Sequence, residues 1–164
     1  MDGFTEIFED NKDGIKSICH YYSSMSVTLS EEDLFQEIAY QLFRGYKKYS
    51  KRMDCKTSTW VYRVAINVSV SMLRKENKIS FLSIDETPLP ESIEEDEVRK
   101  EEMEELNEAI KLLGPEEQAL VFLYLDDKSH KEIAEILGIS VSNVGTRLQR
   151  TKLKLKQLWN ENGF

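Results

Sequence analysis

The sequence predicts an all-α chain of two small helical domains joined by an acidic linker. Apolar residues recur at helical spacing through most of its length. Residues 79–100 combine two prolines with dense negative charge, and the last stretch reads as two helices joined by a short glycine turn. The expected boundaries are 1–78 for the first domain, 79–100 for the linker and 101–164 for the second domain.

Phe4, Ile7, Phe8, Ile15, Ile18 and Tyr22 keep helical spacing, with a possible break between Asp10 and Gly14. Ser30 and Asp33 then signal a helix start, and Glu31, Glu32 and Asp33 sit where the helix dipole favours negative charge. That helix turns Leu34, Phe35, Ile38, Ala39, Leu42, Phe43 and Tyr46 inward, leaving Asp33, Gln36, Glu37 and Gln41 on its outer face. Plain solvation and partner binding both suit that face.

From Arg44 to Lys56 the chain turns basic, with Lys47, Lys48, Lys51 and Arg52 interleaved with Tyr46 and Tyr49. Positive charge beside aromatic rings suits single-stranded nucleic acid, phosphates on the one and bases on the other. The next helix is apolar on most sides, with Val61, Val64, Ala65, Ile66, Val68, Val70, Met72 and Leu73. Yet Trp60, Arg63, Asn67, Ser71, Arg74 and Lys78 fall in one narrow stripe, flanked by Lys75. A mostly buried helix does not hold such groups without partners. Acids of the first helices or a nucleic-acid strand would each serve.

Beyond the linker, a helix buries Leu106, Ala109, Ile110 and Leu113 and is expected to end at Gly114. Pro115 opens another, containing Leu120, Val121, Leu123, Tyr124 and Leu125. Ser129 and Glu132 form a capping-box pattern, Ile133, Ala134 and Leu137 give an apolar face, and Gly138 stops the helix. Ser140 caps the last helix, whose inner stripe is Val141, Val144, Leu148, Thr151, Leu155 and Trp159. Two helices so joined form a helix-turn-helix. Opposite the stripe lie Ser142, Asn143, Thr146, Gln149 and Arg150, flanked by Arg147 and Lys154. Their amides, hydroxyls and guanidinium groups suit base edges and phosphates in a major groove. Gly145 is anomalous in a helix interior and points to close approach by something.

The net charge of −8 conceals an alternation: −7 over residues 1–40, +8 over 41–80, −13 over 81–127 and +4 over 128–164. Two basic blocks separated by an acidic one look like two anion contacts with a repelling connector. Cys19 and Cys55 are isolated, so neutral thiols are expected in place of a zinc site. No apolar run approaches the roughly 20 residues of a membrane span and no signal peptide is read, so a cytoplasmic protein without membrane insertion is expected. No nucleophile, phosphate loop or metal cluster points to an enzyme, and no cofactor is expected.

The chain resembles the bacterial RNA polymerase sigma factors of the extracytoplasmic-function class over nearly its whole length. Glu32-Asp33-Leu34-Phe35-Gln36-Glu37-Ile38 resembles the signature of the domain that grips the polymerase. Ser58-Thr59-Trp60-Val61-Tyr62-Arg63-Val64-Ala65, with Asn67 and Leu73-Arg74-Lys75, resembles the segment that opens the −10 promoter element. Leu106 through Lys154 is similar to the domain that reads the −35 element. Ser71 stands where the family commonly has aspartate, and Gly145 where it often has Lys or Arg.

The resemblance implies a sigma region 2-like bundle, a sigma region 4-like helix-turn-helix, and three sites. Asp33, Gln36, Glu37 and Gln41 would bind core RNA polymerase. Lys51, Arg52, Trp60, Arg63, Asn67, Arg74 and Lys75 would engage the −10 element, and Ser142, Asn143, Thr146, Arg147, Gln149, Arg150 and Lys154 the −35 element. It also implies an anti-sigma partner. The alternative is a one-component regulator with a helical sensor before its helix-turn-helix; the basic stripe speaks against it, because a sensor needs no strand-binding groove.

Overall fold

The computed structural model describes residues 2–82 and 97–161, with side chains placed for 3–76 and 101–161. Eight helices and no strand appear among these residues: α1 Asp2–Asp10, α2 Lys12–Ser23, α3 Glu31–Arg52, α4 Thr57–Leu82, α5 Glu97–Lys111, α6 Pro115–Leu125, α7 His130–Leu137 and α8 Val141–Glu161. The ends of the stretch read as linker are helical, since α4 continues to Leu82 and α5 begins at Glu97. Residues 83–96 of that stretch, and the side chain of Lys78 on the stripe, lie outside the described residues.

The first four helices pack around Ile15, Ile18, Leu34, Ile38, Leu42, Val61 and Ala65, all essentially inaccessible. Ser30 caps α3 by accepting the Asp33 N–H at 3.1 Å. Phe43, expected inside, is 54 % exposed and meets Phe4 of α1 edge-on, with ring centroids 5.4 Å apart. Glycine permits two close approaches here: a Cβ on Gly14 would stand 2.5 Å from the Tyr62 hydroxyl, and one on Gly3 would overlap the Tyr46 hydroxyl.

In the second half, Ile110, Leu123, Ile133 and Val144 are buried to 1 % exposure or less. Gly114 does not end α5, which stops at Lys111. It is the N-cap of α6, with φ −70°, and the Glu117 carboxylate accepts its N–H at 3.0 Å. Proline at N1 had already set that start. Phe122 is buried, whereas Tyr124 and Leu125 at the end of the same helix are exposed. The buried side chains of both halves join into one continuous cluster.

Candidate nucleic-acid interface

The helix-turn-helix takes its shape from three capping residues. Ser129 accepts the Glu132 N–H at 3.1 Å, but the Glu132 carboxylate takes the Ser129 hydroxyl at 3.2 Å and so does not close the expected box onto the backbone. Gly138 ends α7 in the left-handed region at φ 70°, where glycine carries no Cβ penalty. Ser140 then accepts the Asn143 N–H at 3.2 Å and starts α8. Val144, Leu148 and Thr151 turn inward, while Leu155 and Trp159 are half-buried. Val141 departs from the expected stripe and is 50 % exposed.

Ser142, Asn143, Thr146, Arg147, Gln149, Arg150 and Lys154 are all exposed along α8. Two cations of this set are already engaged. Arg147 lies 3.3 Å from Glu116 and Lys154 3.0 Å from Glu117, both acids of the first turn of α6. Burial pushes the Glu117 carboxyl up, but the Gly114 N–H and Lys154 together hold it below the usual glutamate range. Sequence reading missed these acids, although Pro-Glu-Glu at a helix start is the available signal. Arg150 has no hydrogen-bond or ion-pair partner among the described residues. Around Gly145 nothing is tight: a Cβ there would meet only the His130 ring, at 3.9 Å.

In the first half, Lys51 and Arg52 occupy the last turn of α3, where positive charge complements the helix dipole. Tyr49, expected as a stacking surface for bases, is buried. Its ring stacks on Trp60 at 4.5 Å and 6°, and its hydroxyl donates to the Cys55 carbonyl at 2.8 Å. One face of Trp60 is thereby covered. Asn67, Arg74 and Lys75 are exposed along α4. Arg63 is half-buried, and its partner is neither an acid of α1–α3 nor open solvent. Its Nε donates to the Glu135 carbonyl of α7 at 2.9 Å, and its second terminal nitrogen donates to the same oxygen.

Asp33 and Gln36 are exposed on α3. Glu37 and Gln41 are half-buried, with the Gln41 amide donating to the Glu37 carboxylate at 2.9 Å. They border a shallow groove shared with Asn67, Ser71 and Lys75, so the acidic face of α3 adjoins the stripe of α4. Burial, with help from Glu31, raises the Cys19 thiol to about 11, and burial likewise raises Cys55 against the opposing charge of Arg63. Both stay neutral thiols near neutral pH. Among the described residues no His, Cys, Asp and Glu cluster could hold a metal, and no helix is long and apolar enough to cross a membrane.

A helical bundle bearing a basic stripe, followed by a helix-turn-helix, is the architecture of a two-part promoter reader. Residues 7–79 match the Sigma-70 region 2 family and residues 103–155 the Sigma-70, region 4 family. The chain is similar to the ECF RNA polymerase sigma factor SigW of Bacillus subtilis (strain 168), with 27 % identity covering 96 % of this chain and 89 % of that one. It is also similar to the RNA polymerase sigma factor YlaC of the same organism, with 28 % identity covering 77 % and 75 %. Its fold matches the sigma factor RpoE from Bartonella quintana, solved in complex with the anti-sigma factor NepR. There the TM-score is 0.66 at 16 % identity, covering 94 % of this chain and 97 % of that one. The chain belongs to the sigma-70 family of RNA polymerase sigma factors, in the extracytoplasmic-function class. Members of that family bind core RNA polymerase and promoter DNA.

Proposed function

We propose that this sigma factor divides its work as follows. Residues 1–78 grip core RNA polymerase and open the −10 element, residues 101–164 read the −35 element, and the segment between sets their spacing. The observation that carries this reading is the exposure of a single polar and basic face on α8, directly behind the Ser140 cap, while the opposite face is buried. Asp33, Gln36, Glu37 and Gln41 serve as the polymerase-binding face, because they are polar, accessible and outside the apolar stripe of α3. Lys51, Arg52, Arg63, Asn67, Arg74 and Lys75 hold the displaced strand through phosphates and base edges, with Trp60 presenting its free face as a stacking surface.

No covalent step is involved. Strand opening is driven by binding: extruding a base costs a few kcal/mol, and stacking at about 1–3 kcal/mol per base together with phosphate contacts offsets it. The protein acts in the cytoplasm and is held in check by an anti-sigma protein. The test is permanganate footprinting of promoter complexes made with core polymerase. Arg63→Ala combined with Asn67→Ala is expected to leave closed complexes intact and abolish thymine reactivity near −10. Normal reactivity in that variant removes the stripe from the opening reaction.

A further inference from the structure

We propose that the cleft between α4 and the helices α6 to α8 is a binding site for a small phosphate monoester with a flat, largely apolar body, the chemical class of the mononucleotides. The site rests on the geometry and charge of the cleft and is independent of the DNA roles assigned above.

The cleft encloses about 690 Å³, a volume in the range that buries most of a small ligand. Its floor is apolar. Ile66 and Leu120 reach it from the buried core, and Val70, Leu137 and Ile139 line it half-buried. Apolar walls with a few convergent polar groups are the composition of a ligand pocket. Contact with a phosphate backbone alone requires only positive charge.

Charge selects the ligand. The charged residues lining the cleft are Arg74, Arg147, Arg150, Glu116 and Glu117. Glu116 is taken by Arg147 at 3.3 Å, and Glu117 by Lys154 at 3.0 Å and by the Gly114 N–H at 3.0 Å. Both acids are thus neutralised by neighbours. Arg74 on α4 and Arg150 on α8 have no hydrogen-bond or ion-pair partner among the described residues. Two guanidinium groups on separate walls therefore leave two positive charges over.

A phosphate monoester carries close to two negative charges near neutral pH and presents three acceptor oxygens. It can engage both planar forks at once, whereas a carboxylate, with one charge and two oxygens, satisfies one. Ser71 and Asn67, one and two turns before Arg74 in the same cleft, also lack partners among the described residues. Their hydroxyl and amide supply donors and acceptors for the polar edge of a ring whose faces meet the apolar floor.

Isothermal titration calorimetry of the full-length protein with adenosine monophosphate, adenosine and inorganic phosphate tests the site. The monophosphate is expected to bind one to one with Kd below about 1 mM. Adenosine and phosphate should each bind at least about tenfold more weakly, since each meets half of the site. Arg74→Gln and Arg150→Gln should each weaken the monophosphate by about tenfold, the loss of one charge-assisted contact. Both side chains are exposed, so the fold is retained, which circular dichroism checks. Lys12→Gln removes the same charge from the start of α2, outside the cleft, and should change nothing. Photolabelling of the wild type with an azido derivative of the monophosphate should mark residues 66–74, 115–120 or 137–151. No binding up to about 1 mM, label confined to other segments, or equal weakening by Lys12→Gln overturns the site. Phosphate binding as tightly as the monophosphate overturns the ester assignment and leaves an inorganic anion site. Adenosine binding as tightly overturns the role of the two arginines. Neither promoter DNA nor core polymerase enters these measurements, so the wider functional reading stands or falls separately.

Discussion

The Arg63 guanidinium caps the Glu135 carbonyl, tying the polar stripe of α4 to the end of the first helix of the helix-turn-helix. This joins two parts of the chain that are 72 residues apart in sequence. A side chain in the motif that resembles the family's strand-opening segment is satisfied within the protein. The stripe therefore has at least one partner inside the protein, on α7.

Polymerase binding should depend on the acidic face of α3. Asp33→Lys with Glu37→Lys is expected to weaken capture by core enzyme at least about tenfold, as reversing charges on a complementary surface does. The C-terminal half should stay folded by circular dichroism, since neither residue belongs to the buried core. Unchanged capture removes this face from the interface.

Arg150 and Lys154 should separate sequence reading from phosphate contact. Arg150, with no internal partner among the described residues, can pair both acceptors of a guanine. Arg150→Ala is expected to cost about 1–3 kcal/mol and relax preference at one −35 base pair. Lys154 is already drawn to Glu117. Lys154→Ala should weaken all duplexes alike and lower the salt slope by about one. Titration of base-substituted −35 duplexes at several salt concentrations distinguishes the two. Equal weakening of every duplex by Arg150→Ala makes it a phosphate clamp.

Gly145 should show opposite effects on fold and binding. Its Cβ position is open in the free protein, so Gly145→Ala is expected to stabilise α8 by about 1 kcal/mol, or roughly 2–4 °C in Tm. If DNA comes close to that backbone, the same change weakens −35 binding. A more stable variant with unaltered DNA affinity shows that the glycine does not serve DNA approach.

The helices were largely legible in the sequence because their signals are local. Ser30, Ser140 and Gly138 each cap where spacing and residue type predict. What was misread depends on neighbours distant in the chain. Phe43 looks like core on α3 alone, yet against Phe4 of α1 it stays 54 % exposed. Tyr49 looks like a base platform until Trp60 stacks on it. Gly114 could end one helix or begin the next, and the reach of Glu117 decided for the latter. The partners of Arg147, Lys154 and Arg63 could not be read, because ion pairs and caps between helices carry no periodic signature. The exposed face of α8 was legible because solvent exposure follows the 3.6-residue period.

Transcription in vitro tests the central claim most directly. Purified core RNA polymerase, this protein and a pool of genomic promoter fragments are combined, and the 5′ ends of the transcripts are mapped. The account predicts initiation at a discrete set of sites that requires the protein, with shared sequence near −35 and −10. Loss of this initiation is expected for Asp33→Lys with Glu37→Lys. Transcripts identical with and without the protein would contradict it.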